Sequence, residues 1–312
     1  MRILLTGSQG QLGWELRRSL AGLGEVLATD RRDLDLGDPA QAARFVRHHA
    51  PQVIVNAAAY TAVDRAESEA PLAHTVNALS PGAMAEQARK IGALMVHFSS
   101  NYVFDGQADR PYRESDPVAP LSVYGRTKAE GERRVRDSGA RHLILRTAWI
   151  FGAHGHNFLG TVLRLAREQE RLRMVADQIG SPSWSRSLAE ASTALVSTLA
   201  GAPAVAETLN LTAQGAVSWQ GFASAIVQQA ASRGLCPLRP VDPIASRDYP
   251  APAKRPAYAV LDGSLLRARF GIQLPPWQAS LECCLDAMAA AVAGGGPGGG
   301  PGGQSAPTRL AE

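Results

Sequence analysis

Residues 2–13 read RILLTGSQGQLG. Arg2–Thr6 is a short apolar run suited to a buried strand. From Leu12 onward the apolar side chains Leu12, Leu16 and Leu20 recur at the spacing of one helix face. Between them lie Gly7, Gly10 and Gly13. In a strand–glycine turn–helix arrangement, backbone N–H groups can approach a pyrophosphate at a helix N-terminus, where the helix dipole favours negative charge. The spacing is GxxGxxG, a slightly longer loop than GxGxxG. Glycine-rich turns are common, so the motif draws its meaning from its place after the first strand and before the first helix.

The pattern repeats further along the chain. Val26–Thr29 reads as a second strand, and Pro39–His49 as a helix that Asp38 can cap with proline at its first position. Val53–Val55 is continuously apolar, as in a strand buried on both faces. A helix over Ala70–Lys90, a strand at Leu94–Phe98, a helix over Val123–Val135 and a strand at His142–Arg146 complete a βαβ series. The fold class is α/β, a Rossmann-like doubly wound parallel sheet over residues 1–148, with a smaller C-terminal substrate-binding lobe over 149–290 that returns in part to the sheet. Helices are expected at Phe158–Glu170, Ser187–Leu199 and Trp219–Ser232. The glycine- and proline-rich tail, 291–312, lacks the apolar residues to build a core and is expected to be disordered.

The second strand ends at Asp30, where a carboxylate can accept from an adenosine ribose, yet Arg31 and Arg32 follow and suit a 2′-phosphate. The chain thus carries a cue for NADH and one for NADPH and does not choose. Gln11 and Leu12 in the glycine loop, Asp35 and Leu36 beyond the second strand, and Ala58, Ala59 and Tyr60 beyond the third complete the expected cofactor contacts.

Bulk properties exclude several classes. The chain has 312 residues, 45% hydrophobic and 19% charged, the composition of an ordinary globular enzyme. The net charge of +4 is spread out with no basic–aromatic stripe, so nucleic acid is not an expected partner. No apolar run spans a membrane, and Met1–Thr6 enters a strand directly, so a cytoplasmic location is expected. Cys236, Cys283 and Cys284 form no CxxC, and the histidines no HExxH, so no metal site is expected.

Tyr124-Gly125-Arg126-Thr127-Lys128 carries the chemistry. Residues four apart share a helix face, so phenol and ammonium project together. A nearby ammonium favours phenolate and is expected to lower the tyrosine pKa toward working pH. Six tyrosines and three lysines would produce a chance YxxxK only ~0.06 times in this length. The other lysines are Lys90 and Lys254; elsewhere the chain uses Arg, which does not replace a compact point charge. Ser99-Ser100-Asn101-Tyr102 follows the Leu94–Phe98 strand at its carboxyl end, where parallel sheets place chemistry, and a serine hydroxyl there can donate to a developing oxyanion.

The glycine loop, VIVNAAAYTAVDRAE, HFSSNYVFDG, VYGRTKAEGE, ILRTAWIFG, DQIGSP and YPAPAKRPAYAVLD occur in order and cover about residues 1–290. They resemble the dTDP-4-dehydrorhamnose reductases, an extended short-chain dehydrogenase/reductase family. The resemblance implies NADPH- or NADH-dependent reduction at carbon 4 of dTDP-4-dehydro-6-deoxy-L-mannose, giving dTDP-L-rhamnose. It implies that Tyr124 donates the proton, that Lys128 tunes it and anchors the nicotinamide ribose, and that Ser100, often Thr in the family, polarises the ketone. Asn101, Tyr102 and Trp149 fall at substrate positions, Asn101 standing where members commonly carry Asp. Arg255, adjacent to Lys254, is expected to meet the sugar-nucleotide pyrophosphate. Some members bind magnesium through glutamates. Glu15 matches one of these, but Arg186 stands at another, and a cation cannot ligate Mg²⁺. The expected assembly is a monomer or homodimer. Alternatives are an epimerase or dehydratase of the same superfamily, which would return its hydride, and a non-catalytic dinucleotide-binding regulatory subunit.

Overall fold

The computed structural model describes residues 1–294. Strands β1 (Arg2–Thr6), β2 (Glu25–Thr29), β3 (Val53–Asn56), β4 (Leu94–Ser100) and β5 (Arg141–Thr147) join a sixth, Ala206–Asn210, in an all-parallel sheet. The order is sixth–β5–β4–β3–β1–β2. The chain steps from β1 to β2 on one side and then crosses to β3 on the other. The strand order therefore reverses at β1, opening a crevice at the carboxyl ends of β1 and β3, where such sheets bind ligands.

Alternation along each strand builds a core on each face. Ile3 and Leu5 point to the side covered by helices Gln11–Leu20 and Ser185–Leu199, where Leu12, Leu16 and Leu188 share their core. Leu4 and Ile54 point to the side covered by Pro39–His49 and Ser80–Ile91, with Val46 and Met84. Leu16 is fully buried, and truncating it to Ala would cost about 2–5 kcal/mol. The Asp38 side chain caps Pro39–His49 by accepting from Gln41 N–H at 3.0 Å.

The single helix expected over 70–90 is instead three pieces: Ala70–His74, a π-helical turn Thr75–Leu79, and Ser80–Ile91. Pro81 lacks the N–H that would bond to the Asn77 carbonyl, which breaks the regular ladder. Elsewhere the strands and helices lie within two residues of their expected ends.

After β5 the chain builds a second layer around Phe151, Leu159, Val162, Phe222 and Trp277. Short strands stitch it: Leu172–Val175 pairs with Val241–Ile244, Ile150–Phe151 with Ser183–Trp184, and Ile179–Gly180 with Val217–Ser218. The Ser185–Leu199 helix and the Ala206–Asn210 strand rejoin the main sheet, Thr193 Oγ1 donating to Ser19 Oγ at 2.8 Å. The last helix, Trp277–Gly294, extends into the expected tail because Ala289–Ala291 continue a good helix former. The rest of that tail, 295–312, lies outside the described residues. No helix among the described residues is long and apolar enough to cross a membrane.

Candidate active site

The carboxyl-end loops of the sheet and the second layer enclose one cavity of about 1470 Å³. Gly7, Gly10, Gln11 and Leu12 line it, as do Asp30, Arg31, Asp35 and Leu36, and Ala58, Ala59 and Tyr60. Two of the three loop glycines are sterically required. Gly7 has φ of +70°, and a Cβ there would lie 2.7 Å from Ala58 N. A Cβ on Gly13 would lie 2.0 Å from the Gly7 carbonyl oxygen, so Gly13 closes the turn from behind rather than lining the cavity. Gly10 N–H donates back to Gly7 O at 3.0 Å, and Gly10 stands at the N-terminus of Gln11–Leu20.

At the adenosine end, Asp30 Oδ1 accepts from Arg32 N–H at 2.7 Å. The Arg31 side chain is 80% exposed and only 3.8 Å from Asp35 at its nearest. The carboxylate and the guanidinium both stay at the cavity wall, so the two coenzyme cues persist in the fold.

Ser122 caps the Val123–Asp137 helix, accepting from Gly125 N–H at 3.1 Å, and so fixes where Tyr124 and Lys128 leave the first turn. Gly125 lets this helix press on the β4 loop, since a Cβ there would lie 2.2 Å from the Tyr102 carbonyl oxygen. Asn77, in the π turn, braces the same helix. Its side chain accepts from Tyr60 N–H at 2.8 Å and donates to Tyr60 O at 3.0 Å and Thr127 Oγ1 at 3.1 Å. Nothing in its sequence neighbourhood marks Asn77 except Pro81, four residues on.

The Ser100 hydroxyl and the Tyr124 phenol line the same cavity, and the hydroxyl favours the ionised phenol. The Ser100 hydroxyl donates to Asn101 Oδ1 at 3.2 Å and accepts from Tyr102 N–H at 3.2 Å. Burial raises the Tyr124 pKa to about 12, opposed by the Ser100 hydroxyl and aided by Tyr102. Burial lowers the Lys128 pKa to about 8, opposed by the Glu132 carboxylate. Glu132 itself is held by buried Arg146 at 2.7 Å. The expected lowering of the tyrosine pKa by its lysine is therefore corrected: the Lys128 ammonium is bonded to the Phe98 carbonyl at 2.6 Å, and burial dominates the phenol.

Asn101 is buried, and its Nδ2 donates to Ala259 O at 3.1 Å, so this amide joins the catalytic loop to the late chain. Trp149 adopts φ of +46°, uncommon for a bulky residue. Its indole stacks on Trp219 with centroids 3.4 Å apart, in space left by Gly180, whose Cβ would lie 2.4 Å from the indole ring. Trp219 lines the same cavity and was not among the expected site residues. Arg255 also lines it, with its guanidinium already engaged: Nη2 donates to Asp64 at 2.7 Å and Nη1 to Ala253 O at 3.4 Å. Asp64 was likewise missed, lying 191 residues from its partner. Glu15 and Arg186 pair at 3.4 Å, and no group of three or more potential metal ligands occurs among the described residues.

The family model described as RmlD substrate binding domain matches residues 1–290. The dTDP-4-dehydrorhamnose reductase of Burkholderia thailandensis is 46% identical over 293 residues, covering 91% of this chain and 98% of that protein. Among solved structures, a dTDP-4-dehydrorhamnose reductase from Clostridium acetobutylicum superposes with a TM-score of 0.86 at 37% identity, covering 92% of this chain and 99% of that one. The Bacillus anthracis enzyme of the same name, solved in complex with NADP, gives 0.83 at 32% identity with the same coverage. Together with a doubly wound sheet whose carboxyl edge carries the glycine loop and YxxxK, these likenesses place the chain in the dTDP-4-dehydrorhamnose reductase family.

Proposed function

We propose that the chain reduces the 4-keto group of dTDP-4-dehydro-6-deoxy-L-mannose to dTDP-L-rhamnose, with NADPH or NADH as reductant. The observation that carries this reading is that Ser100, Tyr124 and Lys128 line the same cavity as the glycine loop. The residues fit a dinucleotide. Gly7 and Gly13 form a turn that a Cβ would fill, the Gln11–Leu20 N-terminus adjoins it, and Asp30 and Arg31 stand at the adenosine end. When bound, the reduced nicotinamide supplies the hydride.

The chain's own groups handle the oxygen. Ser100 and Tyr124 donate to the ketone, and Tyr124 gives up its proton as the alkoxide forms. A phenol with a pKa near 12 is fully protonated at neutral pH, and an alkoxide is the stronger base, so the transfer runs downhill. Lys128 has three N–H donors and spends one on Phe98, which leaves two for ribose hydroxyls and for the phenolate left behind. Trp149 and Tyr102 flank the sugar, while Asn101 holds Ser100 in place. In this reading residues 1–148 serve chiefly the dinucleotide and 149–290 chiefly the sugar nucleotide. The protein works in the cytoplasm as a monomer or homodimer, without a metal.

The test is NADPH and NADH oxidation in the presence of enzymatically generated dTDP-4-dehydro-6-deoxy-L-mannose. One reduced coenzyme consumed per dTDP-L-rhamnose formed supports the reading. Sugar turnover with no net coenzyme loss would mean an epimerase, and no turnover of any nucleotide sugar would mean a binding subunit.

A further inference from the structure

Arg146, near the carboxyl end of β5, lies in register beside Ser99 of β4, the residue before Ser100. Its guanidinium forms a fork on Glu132 of the Val123–Asp137 helix: Nε donates to Oε1 at 2.8 Å and Nη2 to Oε2 at 2.7 Å. The two side chains are only 3% and 0% exposed. Taking two charges this far out of water costs about as much as their attraction returns, so such a pair is a poor source of stability. A two-bond fork does fix distance and angle, which suits it to holding one element against another.

The same guanidinium also meets the catalytic loop. It lies over the Phe104 ring, 5.1 Å from the centroid, and Phe104 is in turn stacked on Tyr112 at 4.3 Å. Phe104 N–H donates to Asn101 O at 3.1 Å, and Asn101 Oδ1 accepts from the Ser100 hydroxyl at 3.2 Å. Arg146 Nη1 donates to Glu114 O at 3.2 Å and so holds the chain that follows. Glu132 sits one turn beyond Lys128 and two beyond Tyr124 on the same helix. That helix is thus fixed twice: near Tyr124 by the close approach of Gly125 to Tyr102 O, and farther along by Arg146.

We propose that Arg146 and Glu132 are positioning residues: their pair clamps the helix bearing Tyr124 and Lys128 against the loop bearing Ser100. This rests on the reading of Tyr124 and Ser100 as the two groups that face the ketone. Neither Arg146 nor Glu132 lines the cavity, so both act through the elements they join and not by touching substrate. Glu132 also accepts from Arg136 Nη1 at 3.2 Å, but that bond stays within one helix and ties it to nothing else. Misplacing a reacting group by about 1 Å can cost 10²-fold in rate.

The test sets kcat against thermal stability. Arg146→Met and Glu132→Gln should each lower kcat on the order of 10- to 100-fold, with KM for sugar and coenzyme within about threefold of wild type. Each single variant leaves a buried charge without its match and should melt earlier. The double variant removes both charges, so its Tm should return toward the wild-type value while kcat stays as low as in the single variants. A pair that serves stability alone predicts that kcat returns together with Tm, and that result overturns the proposal. Arg146→Lys keeps the charge balance but not the fork, and should fold and still lose kcat several-fold; wild-type kcat in it also overturns the proposal. A readout free of the sugar is amide hydrogen exchange of residues 101–104 and 123–137, which should quicken in the double variant; unchanged exchange counts against the clamp in the same way. Absence of wild-type turnover would strike the reductase reading, while the exchange experiment would still report on the clamp.

Discussion

The Lys128 ammonium donates to the backbone carbonyl of Phe98 at 2.6 Å. Burial lowers the lysine to about 8 while the neighbouring Tyr124 rises to about 12. The two titrations are therefore well apart, and the lysine loses its proton first. If the charged ammonium is what holds the ribose, kcat/KM for NADPH should fall above pH 8 with a single ionisation, and no second limb should appear until far higher pH. Lys128→Arg should remove the limb at pH 8 while lowering activity, since guanidinium stays charged but does not replace the compact ammonium. A profile flat to pH 10 would contradict the assignment.

Gly10 and Gly13 should separate by experiment. Gly13→Ala places a methyl 2.0 Å from the Gly7 carbonyl and should cost several kcal/mol of stability, on the order of other severe backbone clashes. Gly10→Ala meets only the Gly7 oxygen, at 3.3 Å, and should fold with a Tm within a few degrees of wild type. Its methyl would stand where a pyrophosphate approaches, so KM for coenzyme should rise while thermal stability holds. Thermal melts and coenzyme titrations on both variants provide the check.

Coenzyme choice turns on Arg31, which is exposed and weakly paired beside Asp30. Arg31→Ala should raise KM for NADPH more than for NADH, by about one charge-assisted contact, roughly 1.5–3 kcal/mol or some 10- to 100-fold. Equal effects on the two coenzymes would place the 2′-phosphate elsewhere.

The Trp149–Trp219 stack depends on the gap at Gly180. Gly180→Ala should push the indole aside, alter the protein's tryptophan fluorescence and raise KM for the sugar nucleotide, with coenzyme affinity unchanged. Unaltered sugar kinetics would leave the stack a packing feature only.

The legible part of this molecule is local. Asp38 before Pro39 marks a helix start by hydrogen bonding and fixed φ, and the helix begins where those residues place it. The glycine loop is readable because a tight turn with close backbone approach leaves no other residue. What escaped is set by distance in the chain or by depth. Asp64 and Arg255 are brought together only by the whole fold, and neither carries a local mark of its partner. Trp219 reads as an ordinary helix-start aromatic until Trp149 is laid flat on it. The direction of the tyrosine pKa depends on burial, which an i,i+4 spacing does not encode. The π turn at Thr75–Leu79 follows from one missing N–H at Pro81, a cue strong enough to break a ladder but silent about where its freed groups go.

The most direct measurement is single-turnover NADPH oxidation by Tyr124→Phe with the 4-keto sugar nucleotide, set beside coenzyme binding to the same variant. The account predicts a rate lowered by about 10²–10⁴-fold with unchanged NADPH affinity. A variant that oxidises NADPH at close to the wild-type rate would contradict the assignment of this phenol as the proton donor.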